Sequence, residues 1–269
     1  MNNLKFFFSH DEYLGESGKF LSLAERYGSV WNPVFGLNRD ISSQFESEGY
    51  KQFFTSKRTS LFRVSRDNGD FFIRIIHPLT LLDKIKEFFL PSAKTLLSKI
   101  NRLKEKGFIV PEVVLSAQIK KPLKSIIFYM PVEGNDFYQI LSESTETGFK
   151  EYFGVSRKKL INCLSREIGR LHAENIFHQD LHLRNIILTP GYRIGLLDLE
   201  KVRFSRRKNR KRMIKDLRRL NNRKIPVSDF ARLSFLAGYC KALRIDKREE
   251  KRKLLSEVLK DAQNASQDK

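Results

Sequence analysis

The chain has 269 residues, of which 41% are hydrophobic, and a formal net charge of +20. This length suits one domain, or two lobes that share a cleft, and the charge points to an anionic partner such as nucleic acid, a phospholipid surface or an acidic substrate. Two cysteines exclude a disulfide framework and favour a reducing compartment, and the lack of a signal-peptide core or of about eighteen consecutive apolar residues predicts a soluble cytoplasmic protein.

The first half of the chain is predicted to be rich in strands. Residues 1–50 mix aromatic clusters with Gly, Ser and acidic residues, and we interpret them as an N-terminal extension. An Asp-Asn-Gly turn joins the first two strands into a hairpin, and Pro91 opens a helix that Gly107 closes. The predicted elements are, in order, the strands SLFRV (60–64) and DFFIRII (70–76), a helix over 92–106, and the strands IVPEVV (109–114) and SIIFYM (125–130).

The second half is predicted to be mainly helical. An apolar stripe from Leu160 to Leu171 indicates a helix that ends before His178. The short strands NIIL and RIGLLDL flank a tight Thr-Pro-Gly turn, and helices follow from about residue 206. The order predicts an α+β fold with a small β-rich N-lobe over 51–132 and a mainly helical C-lobe over 133–269, joined near Met130–Gly134.

Three side chains carry the candidate chemistry. Asn185 follows Asp180 by five residues, and Asp198 follows Asn185 by thirteen. Transfer of a γ-phosphoryl group requires cations that bridge the phosphates and a group that orients the attacking hydroxyl. Magnesium prefers oxygen ligands and takes one or two carboxylates together with phosphates and water. The spacing therefore favours phosphoryl transfer, and a polar loop with a capping Asp and a turn Asn is the alternative.

The pattern His-x-Asp-x4-Asn, with a further Asp after the next hairpin, resembles the catalytic loop of the protein-kinase-like superfamily. The resemblance implies a two-lobed kinase-like fold that uses ATP and Mg²⁺. It implies that Asp180 is the catalytic base and that Asn185 and Asp198 are metal ligands. His178 would brace the loop.

The C-lobe motif differs from that of protein kinases in ways that favour a small acceptor. His182 stands where protein kinases usually have a phosphate-binding Lys, which is similar to the small-molecule and sugar kinases of the superfamily. Gln179 replaces the Arg that couples many protein kinases to a phosphorylated activation loop. Asp198-Leu199-Glu200 stands where protein kinases have the motif Asp-Phe-Gly, and the Ala-Pro-Glu motif that follows in those kinases does not occur in this sequence. Regulation through an activation loop is therefore not expected.

The N-lobe lacks a glycine-rich phosphate loop. Residues 55–60 are TSKRTS, in which Lys57 and Arg58 are predicted to bind phosphate by charge, with an exposed hairpin tip as the alternative. Arg74 occupies the position at which the protein-kinase-like superfamily has a Lys on a strand of the N-lobe. It is predicted to contact a nucleotide phosphate, and burial against a carboxylate is the alternative. In the superfamily a helix Glu usually pairs with this strand residue, and Glu87 is the predicted substitute for it. The predicted nucleotide contacts at the joint are Met130 and Val132.

Within the superfamily, residues 57–240 resemble the bacterial lipopolysaccharide core kinases, on the segments FFIRIIHP, RIGLLDLEKVRF and RKNRKRMIKDLRRLNN. The resemblance implies ATP-dependent phosphorylation of a Kdo or heptose hydroxyl in the inner core, at the cytoplasmic face of the inner membrane. It implies that Asp216 braces the catalytic loop. Residues 201–224 hold thirteen Lys or Arg against one Asp, which suits an anionic glycolipid and leaflet. The proposed substrate rim is Arg206, Arg207, Arg210, Lys211 and Arg212.

Two other functions remain open at this point. One is an atypical protein kinase, which His182 and the missing activation-loop landmarks disfavour. The other is an inactive kinase fold that binds an anionic surface, which the absent glycine loop favours and the set of Asp180, Asn185 and Asp198 opposes. Nucleic-acid binding is not expected, because a solvated helix face explains the single basic block equally well.

Overall fold

A six-stranded antiparallel sheet lies at the centre of the first of two structural units. The first unit comprises residues up to Lys106 together with Pro111–Pro131, and the second comprises Gly107–Val110 and the chain from Val132 onward. The structure is a computed structural model, and it describes residues 4–9, 50–56, 58–66, 69–120, 123–143, 156–221 and 227–264.

Buried and more exposed side chains alternate along residues 60–64 and 71–76, so that one face of these strands is buried, whereas residues 113–119 of a central strand are buried on both faces. Phe62 and Val64 are buried while Arg63 between them is exposed. The strands lie in the order β1-β5-β6-β4-β3-β2. They are β1 (Leu4–Ser9), β2 (Tyr50–Thr55), β3 (Thr59–Arg66), β4 (Gly69–Ile76), β5 (Glu112–Lys120) and β6 (Leu123–Met130).

The predicted strands at 60–64, 70–76 and 125–130 lie within β3, β4 and β6. The predicted start of the next strand at Ile109 is wrong, because β5 begins at Glu112, directly after Pro111. Proline has no N–H to donate to a ladder, and Ile109 instead bridges Gly195 within the second unit.

Part of the predicted N-terminal extension belongs to this sheet. Residues 4–9 form β1, which pairs with β5 at the sheet edge, and Tyr50 begins β2. The remainder of residues 1–50 lies outside the described residues, as does Lys57.

Two helices, α1 (Leu81–Phe89) and α2 (Ser92–Glu105), accompany the sheet. The sequence analysis predicted α2 and missed α1, which Thr80 starts through a capping box with Asp83.

Glu87 lies within α1 rather than on the approach to α2. Its buried carboxylate accepts hydrogen bonds from Ser92 N (3.0 Å), Ser92 Oγ (2.6 Å) and Ser125 Oγ. It thus caps α2, whose N-cap Pro91 makes no side-chain cap.

The second unit is mainly helical. Its two short antiparallel sheets have the strand orders β10-β9-β7 and β11-β8. Its helices are α3 (Phe137–Glu143), α4 (Arg157–Ala173), α5 (Arg210–Leu220), α6 (Asp229–Ala242) and α7 (Arg248–Asn264). Its strands are β7 (Asn135–Asp136), β8 (Ile176–Phe177), β9 (Ile186–Thr189), β10 (Arg193–Leu196) and β11 (Arg203–Phe204).

Helix α4 forms the core of this unit. The predicted apolar stripe is buried along it, from Leu160 to Leu171, and α4 packs closely against α6 because Gly169 has no side chain. A Cβ at Gly169 would overlap the Cβ of Ala242. This close packing places Tyr239 of α6 beside the C-terminal end of α4, where it supports the site described below.

Helices occur together with antiparallel sheets, and no parallel sheet is formed by the described strands, which is consistent with the predicted α+β class. Both cysteines, Cys163 and Cys240, are free thiols. In the part of the chain that the structure describes, no helix is both long enough and apolar enough to cross a bilayer.

Gly134, just before β7, has a φ of 132° and lies against β9, where a Cβ would overlap the carbonyl oxygen of Leu188. We expect Gly134→Ala to lower the unfolding free energy by about 3 kcal/mol, because it adds both backbone strain and overlap with main-chain atoms. Gly191→Ala is the matched control: its φ is 75°, but nothing lies within 4 Å of the new Cβ. It should cost only about 1 kcal/mol. Urea denaturation measures both, and equal losses would contradict the overlap argument.

Candidate functional site

The loop that carries Asp180 begins directly after β8, within the second unit. Strand β8 pairs with β11, with Phe177 opposite Arg203 and Ile176 opposite Phe204. The backbone N–H of Leu197 donates to the carbonyl oxygen of Asn185 at 2.9 Å. These bonds hold the chain just before Asp198 against the loop, so that Leu197 and Asn185, which are twelve positions apart in sequence, become neighbours.

Asp216 of α5 fixes the start of this loop. Its carboxylate is fully buried and accepts hydrogen bonds from the backbone N–H groups of His178 (2.8 Å) and Gln179 (2.7 Å). Gln179 has a φ of 65°, in the left-handed region that is unfavourable for residues other than glycine. The two hydrogen bonds to the Asp216 carboxylate hold the backbone at Gln179 in that conformation.

Asp216 is itself held by a second layer of buried groups. His172 Nε2 lies 3.3 Å from its carboxylate, and His172 Nδ1 lies 2.7 Å from the hydroxyl of Tyr239. Burial raises the pKa of Tyr239 well above its ordinary value, so the phenol stays protonated and is able to donate to Nδ1. His172 thus links the Tyr239 hydroxyl to the Asp216 carboxylate. The sequence analysis did not identify His172 or Tyr239.

His178 joins the loop to the segment before Asp198. Its ring is fully buried, and its Nε2 lies 2.8 Å from the carbonyl oxygen of Leu197. Burial lowers the pKa of His178 below its ordinary value, even though the Leu197 carbonyl and the carboxylates of Asp216 and Asp198 oppose this shift. The ring is therefore neutral and donates from Nε2. The bracing role of His178 in catalysis stays a prediction.

Asn185 is oriented by the loop itself. Its Nδ2 donates to the carbonyl oxygen of Asp180 and lies 3.0 Å from Nε2 of His182. Burial is the main cause that lowers the pKa of His182, which leaves the ring neutral and able to accept this bond. With the amide nitrogen engaged, Oδ1 of Asn185 is the atom suited to a hard cation.

Asp198 adopts a left-handed backbone conformation, with φ 51° and ψ 58°. Such a conformation costs a non-glycine residue about 1–2 kcal/mol, and it occurs here at the junction between β10 and a short 3-10 turn over Leu199–Lys201. The carboxylate acts on the rings of His178 and His182, where it opposes the fall of both pKa values. Asp198 therefore lies beside the same loop as Asn185.

Two cations contact the carboxylate of Asp180. Lys201 Nζ lies 2.5 Å from one carboxylate oxygen, and Arg219 forms an ion pair with the other. The sequence analysis named neither as a site residue. Lys201 lies within the segment RIGLLDLEKVRF, and Arg219 follows Asp216 by three residues on α5, which places both on one helix face.

The donor atoms around this loop fit magnesium better than a metal held by protein alone. In the described ranges, no group of three or more His, Cys, Asp or Glu side chains could hold a metal ion. One carboxylate from Asp198 and one amide oxygen from Asn185 are the few oxygen ligands that Mg²⁺ uses when phosphates and water complete its shell.

The N-lobe candidates lie in the first unit, with Val132 in the second. Arg58 is exposed and pairs with Asp83 of α1 at 3.2 Å. Arg74 is half-buried on β4, between Leu61 and Ile127 of the neighbouring strands. Met130 ends β6 and packs against the sheet core, whereas Val132 lies against Gly195.

The residues of the predicted substrate rim lie just before α5 and in its first turn. Asn209 caps the helix by accepting from the N–H of Arg212, and Arg210 pairs with Glu257 at 2.6 Å. Positive side chains in a first helical turn oppose the helix dipole, and this turn contains no acidic residue to offset them. Anions are stabilised at such a position. The exposed members are Arg206, Arg207, Arg210 and Lys211, and Arg212 is half-buried.

A known protein family matches the part of the chain that carries this loop. No curated protein matches the chain. The profile of the lipopolysaccharide kinase (Kdo/WaaP) family matches residues 85–239, which is more than half of the chain and includes Asp180, Asn185, Asp198 and Asp216. The chain therefore belongs to the lipopolysaccharide kinase (Kdo/WaaP) family, a family of phosphotransferases that act on sugar hydroxyls.

Proposed function

We propose that the protein uses ATP and Mg²⁺ to phosphorylate a Kdo or heptose hydroxyl of the lipopolysaccharide inner core. The fold would be kinase-like and two-lobed, with an N-lobe over 51–132 and a C-lobe over 133–269. One observation supports the proposal: the loop that carries Asp180 and Asn185 is held by hydrogen bonds that Asp216 accepts from its backbone and by hydrogen bonds that His178 and Asn185 make.

In this proposal, Asp180 orients the acceptor hydroxyl and accepts its proton as the oxygen attacks the γ-phosphorus, while the bond from the γ-phosphorus to the β,γ-bridging oxygen breaks and ADP leaves. Asn185 and Asp198 would hold Mg²⁺, which neutralises charge on the phosphates when bound. His178 and Asp216 keep the loop in place, so that little reorganisation is needed during transfer.

The two cations on Asp180 have a role in the same scheme. Lys201 and Arg219 place positive charge at the point where the acceptor hydroxyl must approach. Kdo carries a carboxylate, and the inner core carries phosphates, so an incoming acceptor brings anions of its own. We propose that these anions compete for Lys201 and Arg219 and release Asp180 for the hydroxyl proton.

Mass spectrometry of the core oligosaccharide tests this function. A strain that lacks the protein should lose one phosphate from an inner-core sugar, and fragmentation should place it on Kdo or heptose. The wild-type chain should restore the phosphate, whereas an Asp180→Ala chain should not. An unchanged core would contradict the proposed reaction.

The second candidate is an inactive kinase fold that binds an anionic surface. It is favoured by the two cations that occupy the carboxylate of Asp180. An inactive module should bind anionic vesicles without Mg-dependent turnover of ATP, so an ATP turnover assay with purified core glycolipid separates the two functions.

We further propose that the basic rim holds the enzyme at the anionic cytoplasmic leaflet of the inner membrane. Changing the exposed residues Arg206, Arg207 and Lys211 to Ser should weaken vesicle association by about a hundredfold at low salt. The effect should shrink as salt rises, because exposed charges are screened beyond a Debye length of about 8 Å at physiological ionic strength. Acceptor KM should rise and ATP binding should stay nearly intact. Vesicle co-sedimentation at two salt concentrations measures the effect.

The matched control removes three exposed cations from α7, by changing Arg248, Arg252 and Lys253 to Ser. Both variants lose the same net charge, so a specific rim predicts loss in the first and little change in the second. Equal behaviour would indicate that the net charge, rather than the rim, drives association.

A further inference from the structure

Helix α1 exposes the face that an amphipathic helix normally buries. Leu82 and Phe89 are each 78% exposed, and Phe88 is 64% exposed. Leu79 before the helix and Leu90 after it are exposed as well. Amphipathic helices of globular proteins usually turn their apolar stripe toward the core. A continuous exposed patch of large apolar side chains marks a surface for an apolar partner.

The charged residues of α1 are arranged around this face in a regular way. At roughly 100° per residue, the five apolar side chains of the helix cover an arc of about 120°. Lys84 and Lys86 lie about 40° beyond its two edges, and both are exposed. The apolar face is formed by Leu81, Leu82, Ile85, Phe88 and Phe89.

The two acidic residues of α1 are turned away from the apolar face, and both make hydrogen bonds within the first unit. Asp83 accepts from the N–H of Thr80 in the capping box and pairs with Arg58. Glu87 is buried and accepts from Ser92 and Ser125. The outer side of the helix is therefore apolar with a basic border, and the inner side is fixed to the first unit. The helix is formed before any partner binds, so ordering costs little.

We propose that α1 is a membrane-docking helix, which lies in the interface of an anionic phospholipid bilayer with its apolar side chains inserted. Interfacial helices have an apolar face rich in Leu and Phe and a polar border rich in Lys or Arg, which lies at the level of the anionic headgroups. The inference extends the membrane location proposed above to a second surface, and it does not depend on phosphoryl transfer.

The size of the face argues for a bilayer rather than a second protein. Helix α1 has nine residues, which makes it about 14 Å long and about 10 Å wide. Its exposed face therefore offers far less than the roughly 800 Å² per partner of a stable protein interface. A bilayer needs no complementary area of its own, because each inserted side chain transfers independently from water. The basic border adds attraction to anionic lipid.

Co-sedimentation with vesicles of equal parts phosphatidylglycerol and phosphatidylethanolamine tests the proposal, without ATP or acceptor. The variant Leu82→Ser with Phe89→Ser should partition into vesicles about a hundredfold more weakly than the wild type. Unlike the rim variant, it should keep this deficit at high salt, because insertion is apolar. Its melting temperature should be unchanged, since both side chains are 78% exposed. The control Phe230→Ser with Leu233→Ser removes exposed apolar residues from α6 and should sediment as the wild type does.

Three outcomes would overturn the proposal. In all three, the α1 variant sediments as the wild type does. If its melting temperature is also unchanged, the face has no such role; if its melting temperature is lowered, the same chain covers the face. If a wild-type oligomer is lost, the face belongs to an interface with a second copy. Asp198→Ala protein should sediment normally, so failure of the proposed phosphotransfer would leave this result intact.

Discussion

Asp198→Ala should abolish phosphoryl transfer and weaken Mg-dependent nucleotide binding, whereas Asp180→Ala should remove turnover and spare binding. The first change removes the carboxylate proposed to hold the metal, and the second removes the group proposed to orient the acceptor hydroxyl. For Asp180→Ala, turnover should fall by about a hundred- to ten-thousandfold. Because Lys201 and Arg219 lose their carboxylate partner, affinity for ATP should stay equal or rise.

Steady-state kinetics and nucleotide binding with and without Mg²⁺ measure these effects. Asp246→Ala is the control, because Asp246 is an exposed carboxylate outside the site, and it should behave as the wild type. The site assignment would be wrong if both Asp180→Ala and Asp198→Ala kept wild-type turnover. The proposed roles of Asp180 and Asp198 would be reversed if Asp180→Ala, and not Asp198→Ala, lost the Mg-dependent part of nucleotide binding.

Asp216→Ala should have the largest effect on stability, with a loss of about 3 kcal/mol or more in the free energy of unfolding. The change leaves the backbone N–H groups of His178 and Gln179 buried without their acceptor, and it removes the partner of His172. Turnover should fall as well, since the loop that carries Asp180 loses its anchor.

Hydrogen exchange separates this account from a general loss of stability. The amides of His178 and Gln179 should lose protection in the Asp216→Ala protein under conditions in which the helices remain protected. His172→Ala should have a smaller effect, because both backbone hydrogen bonds to Asp216 survive. Retained protection of the two amides, together with normal turnover, would contradict the anchoring role.

The sequence was sufficient to predict the hydrophobic elements whose buried face follows a simple period. Residues 70–76 are rich in β-branched and aromatic side chains and form β4, and the stripe that begins at Leu160 forms α4. Helix α1 was missed although Thr80 and Asp83 form a recognisable start signal. Periodicity predicts that a helix is amphipathic, but only the tertiary structure determines whether its apolar face is turned to the core or to solvent.

The site was predictable where it depends on spacing within one segment. Asp180, Asn185 and Asp198 were chosen by their spacing along one loop and the hairpin that follows it, and their catalytic and metal-binding roles stay predictions. Lys201 and Arg219 were not predicted, because their contact with Asp180 depends on how a short 3-10 turn and α5 direct long side chains. The position of Arg219 one helical turn after Asp216 is the signal that was available.

Transfer of label from γ-labelled ATP to purified lipopolysaccharide inner-core glycolipid is the most direct test of the central claim. The wild-type protein with Mg²⁺ should label an inner-core sugar, and the label should be lost when Mg²⁺ is chelated and when Asp180 is changed to Ala. A folded wild-type protein that transfers no label, or an Asp180→Ala protein that transfers as much as the wild type, would contradict the account.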